Sequence, residues 1–477
     1  MSSVPPALSS VPPAFCTIGA VAPAPPGPAD PAAAPAPAGA LVIRGGYVLT
    51  MDPDAGDLPA ADVHIAGGLI AAVGPGLAVP AGTPELGAAG MIVAPGLVDT
   101  HWHMWNTLLR SMSADASGPG YFKVMIGAGR AYRPGDVYAS TRLACAEAVS
   151  SGITTVHDWC HNVRGPGYAE AGVRALAGAG LRARFSYGVP AGHPNDQTMD
   201  LDGLERLHRD WGARSAGGRL SLGMAWRGPG GSNPAVRVPE PVYRREIEAA
   251  RTLGIPVTVH ASGPRTAQGQ IATLAAGGLL GPDLQVVHAN CATGDEIAAL
   301  AAAGTQVSIS PHSELLIGYG LPRTADLLAA GIGVGLSVDS TVLTGNADMF
   351  SIMKVTQGIV NALAGDEFAM THRQALSLGT IEGARSLGLG GVTGSLTPGK
   401  RADVICVSTS EPNLGVLTDP AHLLVTAAQP ANVDTVIVDG RVLKLGGALT
   451  AIDLAQVRDD ARRALAGVLA RAASSRG

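Results

Sequence analysis

No C-x-x-C pair occurs among the five cysteines, Cys16, Cys145, Cys160, Cys291 and Cys406, and their number is odd. Neither a disulfide framework nor a thiolate zinc site is indicated, and a reducing, cytoplasmic setting is expected. No Lys or Arg precedes Arg44, and prolines interrupt the opening stretch every few residues. That pattern suits neither a signal peptide nor a membrane-spanning helix, so no membrane association is expected. A basic cluster able to track a phosphate backbone is also missing: 33 Lys+Arg face 38 Asp+Glu, for a formal charge of −5. Nucleic acid is therefore excluded as the expected partner, and a small-molecule substrate takes its place. What the chain does have is length, 477 residues, 46% of them hydrophobic. That suffices for one large catalytic domain with a smaller module.

Residues 1 to 39 are dominated by Pro, Ala, Ser and Gly, a composition expected to form a disordered tail. From Leu41 to Thr50, and again around Val63 and Leu69, short strands and turns predict a small β-module. Near Ile92 the rhythm changes to short β-branched runs separated by Ala/Leu/Arg stretches of helical spacing. That alternation predicts repeated βα units. Eight strand candidates follow: Gly96–Thr100, Thr154–Asp158, Arg182–Tyr187, Leu220–Met224, Pro256–His260, Leu284–His288, Gln306–Ser310 and Gly333–Asp339. Eight over this span predict a closed (β/α)8 TIM barrel across residues 96–391. Strand-and-turn character returns after it, so residues 40–95 and 392–450 are expected to build one small β-sandwich domain from both ends of the chain. A helix over 451–477 closes the sequence.

The positions of the histidines then carry the argument. His101 and His103 follow the first strand, His260 ends the fifth, His288 ends the sixth, and Asp339 ends the eighth. In parallel barrels these strand ends share one rim, where active sites lie. Imidazoles with one carboxylate suit zinc or ferrous iron and leave a position for water, whose pKa the ion lowers toward neutrality. Any one of these residues alone is weak, since a lone strand-end histidine is commonly structural; five at the expected ends are not. Trp102 and Trp105 in the first βα loop, Trp159 after strand two and Trp226 after strand four would line an aromatic pocket for a planar substrate, although tryptophans that merely cap the barrel give the same pattern. His157 and His161 are read as structural.

The run Ala94-Pro95-Gly96-Leu97-Val98-Asp99-Thr100-His101-Trp102-His103 resembles the opening motif of the amidohydrolase superfamily. Its mononuclear branch, with atrazine and triazine hydrolases and cytosine and guanine deaminases, is similar also at the Val-His pairs ending at 260 and 288. Ser310-Pro311-His312-Ser313-Glu314, Ser337-Val338-Asp339-Ser340 and the Gly-x-Leu-x-Pro-Gly-Lys-x-Ala-Asp stretch from Gly394 extend the likeness. The resemblance implies one divalent metal ion, zinc or alternatively iron, held by His101, His103, His260 and Asp339. It implies that His288 polarises the substrate or steers the water, and that Asp339 also relays the proton. It further implies a homo-oligomer, a dimer or larger.

One departure bears on the substrate. The deaminases of this branch carry His-x-x-Glu at strand five, whose glutamate protonates a ring nitrogen; here the run is His260-Ala261-Ser262-Gly263. The leading expectation is hydrolysis of a non-peptide C–N bond, in an amide, lactam or aminoacyl conjugate of an aromatic or heterocyclic molecule. Hydrolytic deamination or dechlorination of a heterocycle is the alternative, and a non-catalytic scaffold is a third. His312 and Glu314 are candidate substrate contacts, Glu314 also as a replacement acid from another loop.

Overall fold

The computed structural model describes residues 39–230 and 237–474. The expected tail lies outside the described residues except for Gly39. Among the described residues, eight parallel strands run in sequence order around a barrel. They are Leu97–Trp102, Ile153–Cys160, Arg182–Gly188, Leu220–Trp226, Val257–Ala261, Leu284–His288, Gln306–Ile309 and Val334–Leu336. The eighth returns to the first through a parallel bridge between Asp339 and Trp102. Two backbone bonds make that closure, Asp339 N–H to His101 O at 2.8 Å and His103 N–H to Asp339 O at 2.7 Å.

Several strands contribute polar residues to the barrel interior instead of a purely aliphatic stack. Thr100 Oγ1 lies 2.7 Å from Ser308 Oγ, Ser308 Oγ donates to Ser337 Oγ at 3.1 Å, and Ser337 Oγ is 2.6 Å from Ser310 Oγ. Such a chain is tolerable in a buried layer because each hydroxyl finds a partner.

Outside the barrel, five strands from before it and four from after it pair as one nine-stranded mixed sheet among the described residues. The seam is antiparallel pairing of Met91–Pro95 with Val404–Ser408. Ile43, Val48, Ile65, Val93, Val404 and Ile437 form a separate apolar core there. The expected fold class, a TIM barrel with a small β domain drawn from both chain ends, is therefore present. Gly96 marks the passage from sheet to barrel, because a Cβ there would lie 2.1 Å from Thr154 Oγ1. The domains are joined by a buried pair: Arg182 at the start of the third barrel strand donates to both Asp403 oxygens, at 2.7 and 3.1 Å. A terminal helix, Leu454–Ser474, buries Val457, Ala461 and Val468, a spacing that keeps one stripe inward. No described helix is long and apolar enough to cross a membrane.

Candidate metal centre

Strand alternation decides which side chains enter the barrel mouth. His101 and His103 share one face of the first strand's end, with Trp102 opposite. The Nε2 atoms of His101 and His103 lie 3.3 and 3.2 Å from Asp339 Oδ1, and His260 Nε2 is 3.1 Å from His101 Nε2. All four ligand atoms fall within 4.8 Å of one another. The orientation is fixed from behind. His103 Nδ1 donates to Trp159 O at 3.1 Å, so its Nε2 carries the lone pair. Asp99 ties the two ligand-bearing strand ends together, accepting from His101 N and Val338 N, both at 3.0 Å.

Electrostatics keep this cluster ready for a cation. Burial pulls the His101 imidazole down to about 3, and burial with the neighbouring His101 and His103 rings holds His260 well below the ordinary range. Burial alone would raise the Asp339 carboxyl, but the His101 and His103 imidazoles on it hold it well below the usual carboxylate range. Neutral imidazoles and an ionised carboxylate are the forms that ligate a metal. Lone pairs crowded at 3.1 to 3.3 Å repel one another unless a cation lies between them, and such spacings suit nitrogen and oxygen donors around zinc. The donor set fits the ion that the sequence predicts.

Beside the cluster stands His288. Its Nδ1 donates to Glu314 Oε1 at 3.1 Å, and the same carboxylate accepts from Ser310 N at 2.8 Å and from Asn290 Nδ2 at 3.2 Å. Burial draws the His288 ring downward, but the Glu314 contact and the Asp339 charge outweigh it, so its pKa lies above the ordinary value. The rim is also where the backbone is strained: Ser262, His288, Ala289 and Asp339 all have positive φ, with His288 at 82°. Such conformations are costly for residues with a Cβ and collect at functional sites.

The aromatic expectations divide. Trp159 packs its ring 4.2 Å from His260 and 5.2 Å from His103, so it walls the cluster directly. Trp105 stands one layer back, donating Nε1–H to His161 Nδ1 at 3.2 Å, while the His161 ring meets His103 at 4.3 Å. That bond leaves the proton of neutral His161 on Nε2. Trp226 is not brought to the site. It pairs in register with Val259, whose side chain points opposite to His260, and packs near Tyr243 on the following helix. His312 is likewise turned away, toward Ser351 Oγ at 3.3 Å. Glu314 is fully buried behind His288, with both oxygens engaged within the protein. Two tyrosines escaped the sequence reading, Tyr121 and Tyr319; burial and then the Asp339 charge push both phenols up. The only local signal was the Gly318-Tyr319-Gly320 triplet.

Residues 92–443 match the Amidohydrolase family. The 5'-deoxyadenosine deaminase of Methanosarcina acetivorans is 30% identical over 437 residues, covering 91% of this chain and 99% of that protein. The 5-methylthioadenosine/S-adenosylhomocysteine deaminase of Moorella thermoacetica is 30% identical over 405 residues, covering 81% and 90%. Among solved structures, an adenosine deaminase from Xanthomonas campestris with bound zinc superimposes with a TM-score of 0.76 at 24% identity, covering 90% of this chain and 98% of that one. The atrazine chlorohydrolase of Arthrobacter aurescens, complexed with zinc, gives 0.75 at 20% identity, covering 89% and 100%. The two superpositions speak for the fold alone. With the family matched over most of its length, the chain belongs to the amidohydrolase family and is a hydrolase of carbon–nitrogen bonds other than peptide bonds.

Proposed function

We propose that this hydrolase releases ammonia from an amino-substituted heterocycle of the adenine-nucleoside class, with one zinc ion at His101, His103, His260 and Asp339. The observation that carries the reading is the convergence of those four ligands with the His288–Glu314 pair at one barrel rim. Deaminase names among full-length relatives support the substrate class. A divalent ion in this cage supplies a water acidic enough to be used near neutral pH. The remaining work falls to the chain. Glu314 holds His288 Nδ1, which leaves Nε2 to hydrogen-bond the attacking water or the amino group on the carbon under attack. Asp339, ionised and shared between two imidazoles, takes a proton from the attacking water and returns it to the departing nitrogen. Trp159 offers a flat face beside the cluster for a planar ring.

Amide hydrolysis is the second reading, favoured by one observation: Gly263 places no carboxylate at the end of strand five. The test joins metal content with product. Purified protein should carry about one zinc per chain, lost in His101→Ala/His103→Ala, and should release ammonia from 5'-deoxyadenosine or 5'-methylthioadenosine. Zinc-loaded protein that releases no ammonia from either nucleoside, yet frees an arylamine from an aromatic amide, would replace the first reading with the second. Wild type that takes up no metal on reconstitution would overturn both.

A further inference from the structure

Gly263 is not left open by its missing side chain. A Cβ built there would lie 2.9 Å from Tyr319 Cε2, 3.0 Å from Tyr319 Cδ2 and 3.4 Å from His288 Cδ2. The phenol of Tyr319 therefore fills the space at the end of strand five into which a side chain at 263 would grow. Gly263 is absent from the positive-φ positions, so its backbone would accept another residue; the tyrosine ring is what bars one. That ring stands edge-on to His288, with centroids 5.2 Å apart and planes at 87°.

The loop bearing Tyr319 is anchored as well. Tyr319 N–H donates to Glu314 O at 2.8 Å, and Asn290 Nδ2, which also binds the Glu314 carboxylate, donates to Gly320 O at 3.3 Å. One network thus fixes His288, Glu314 and the tyrosine loop together. The Tyr319 side chain is half-buried, neither enclosed in the core nor out in solvent. Burial, then the Asp339 and Glu314 charges, pushes this phenol up. A tyrosine ring seated against His288 beside a reaction centre offers its O–H as a donor, and its phenol stays protonated across the working range.

We infer that Tyr319 is a substrate-contacting residue whose hydroxyl donates a hydrogen bond to the ring nitrogen adjoining the scissile C–N carbon. It does so from the space at the end of strand five that a side chain at 263 would need. The assignment rests on the proposed heterocycle reading and adds its specificity: the site selects rings with an acceptor at that position. It also accounts for the glycine, since tyrosine and a side chain at 263 exclude each other.

The test uses the zinc-loaded full chain, wild type and Tyr319→Phe, which removes only the hydroxyl. Equilibrium binding is measured for 5'-deoxyadenosine and for its analogue with carbon in place of the ring nitrogen beside the amino-bearing carbon. Wild type should prefer the nitrogen compound by about ten- to a hundredfold, and Tyr319→Phe should bind the two alike. Ammonia release by Tyr319→Phe should fall about a hundredfold in kcat/KM, with zinc content and melting temperature unchanged. Gly263→Glu alone should be damaging, whereas Gly263→Glu/Tyr319→Ala should regain part of the lost rate, because the acid then enters the vacated space. Wild type that prefers the nitrogen compound but releases no ammonia would end the deaminase reading and leave the hydroxyl assignment standing. Equal binding of both compounds by wild type, binding of neither, or an unchanged preference in Tyr319→Phe would overturn the assignment.

Discussion

Glu314→Gln is the substitution that separates support from chemistry at this site. The carboxylate accepts three hydrogen bonds, from Ser310 N at 2.8 Å, His288 Nδ1 at 3.1 Å and Asn290 Nδ2 at 3.2 Å. A glutamine oxygen in the Oε1 position retains the first two. Its NH2 group then faces the Asn290 NH2, a donor–donor conflict relieved only if Asn290 turns over. Asn290 Oδ1 has no partner among the described residues, so the turn is possible, but it gives up the bond to Gly320 O. The larger effect is on charge. The His288 bond loses its charge assistance, which makes up about half of its strength, and with it goes a main influence raising the His288 pKa. We expect kcat/KM to fall by about ten- to a hundredfold, the range for residues that orient a functional group from behind. The sign in pH is specific. If protonated His288 is the donor to substrate, activity is lost as pH rises through its folded pKa, so removing Glu314 must move that basic limb to lower pH. Any bound ion is common to both proteins and cannot change this direction. The assay is product release across about pH 5 to 10, with thermal melts as a check on folding. A basic limb that stays fixed or moves upward would refute the role given to Glu314.

The Arg182–Asp403 pair yields a stability prediction: Asp403→Ala leaves a guanidinium only 4% exposed with Asp439 Oδ1 at 3.6 Å as its remaining carboxylate, and should cost about 3 kcal/mol in urea unfolding, the low end for a broken buried pair. A loss below about 1 kcal/mol, the size of a surface pair, would contradict it. Acid stability should depend on His161, whose folded pKa lies well below the ordinary value, through burial first and then the neighbouring His103. The unfolded chain takes up a proton near pH 6.5 that the native ring refuses, so stability declines as pH falls below about 6.5. His161→Gln should flatten that slope by up to about 1.4 kcal/mol per pH unit, and an unchanged slope would argue against it. Gly335→Ala should destabilise by about 1–3 kcal/mol in thermal melts, since its Cβ would meet Thr100 Cγ2 at 2.4 Å and Ser386 Oγ at 2.6 Å.

The clustering of His101, His103, His260 and Asp339 was legible because each sits where a β-branched run stops, and in a parallel barrel that location alone implies a shared rim. What periodicity could not supply was the face of a given residue. Trp226 was expected after the fourth strand but is its last residue; a single step along a strand reverses direction, and its register with Val259 turns it toward the helices. The eighth strand was expected to reach Asp339 but ends at Leu336. Val338 N–H turns to the Asp99 side chain, and Asp339, at a φ of 61°, keeps only an isolated bridge to Trp102. Glu314 and Tyr319 were hard to read for a different reason. Their contacts to His288 join separate βα loops, and neither lies in a run whose spacing declares a buried face. The missing acid at Gly263 was visible in the sequence; the tyrosine standing in its space was not.

The closure of the barrel has one consequence for how this enzyme can change. The peptide groups that fasten the last strand to the first belong to His101, His103 and Asp339, so three of the four clustered side chains hang on the seam itself. A drift in ligand geometry would open the wall, and a loosened wall would scatter the ligands. Selection for a new substrate is thereby steered to loops such as the one bearing Tyr319, which can be rewritten while the fastening stays shut.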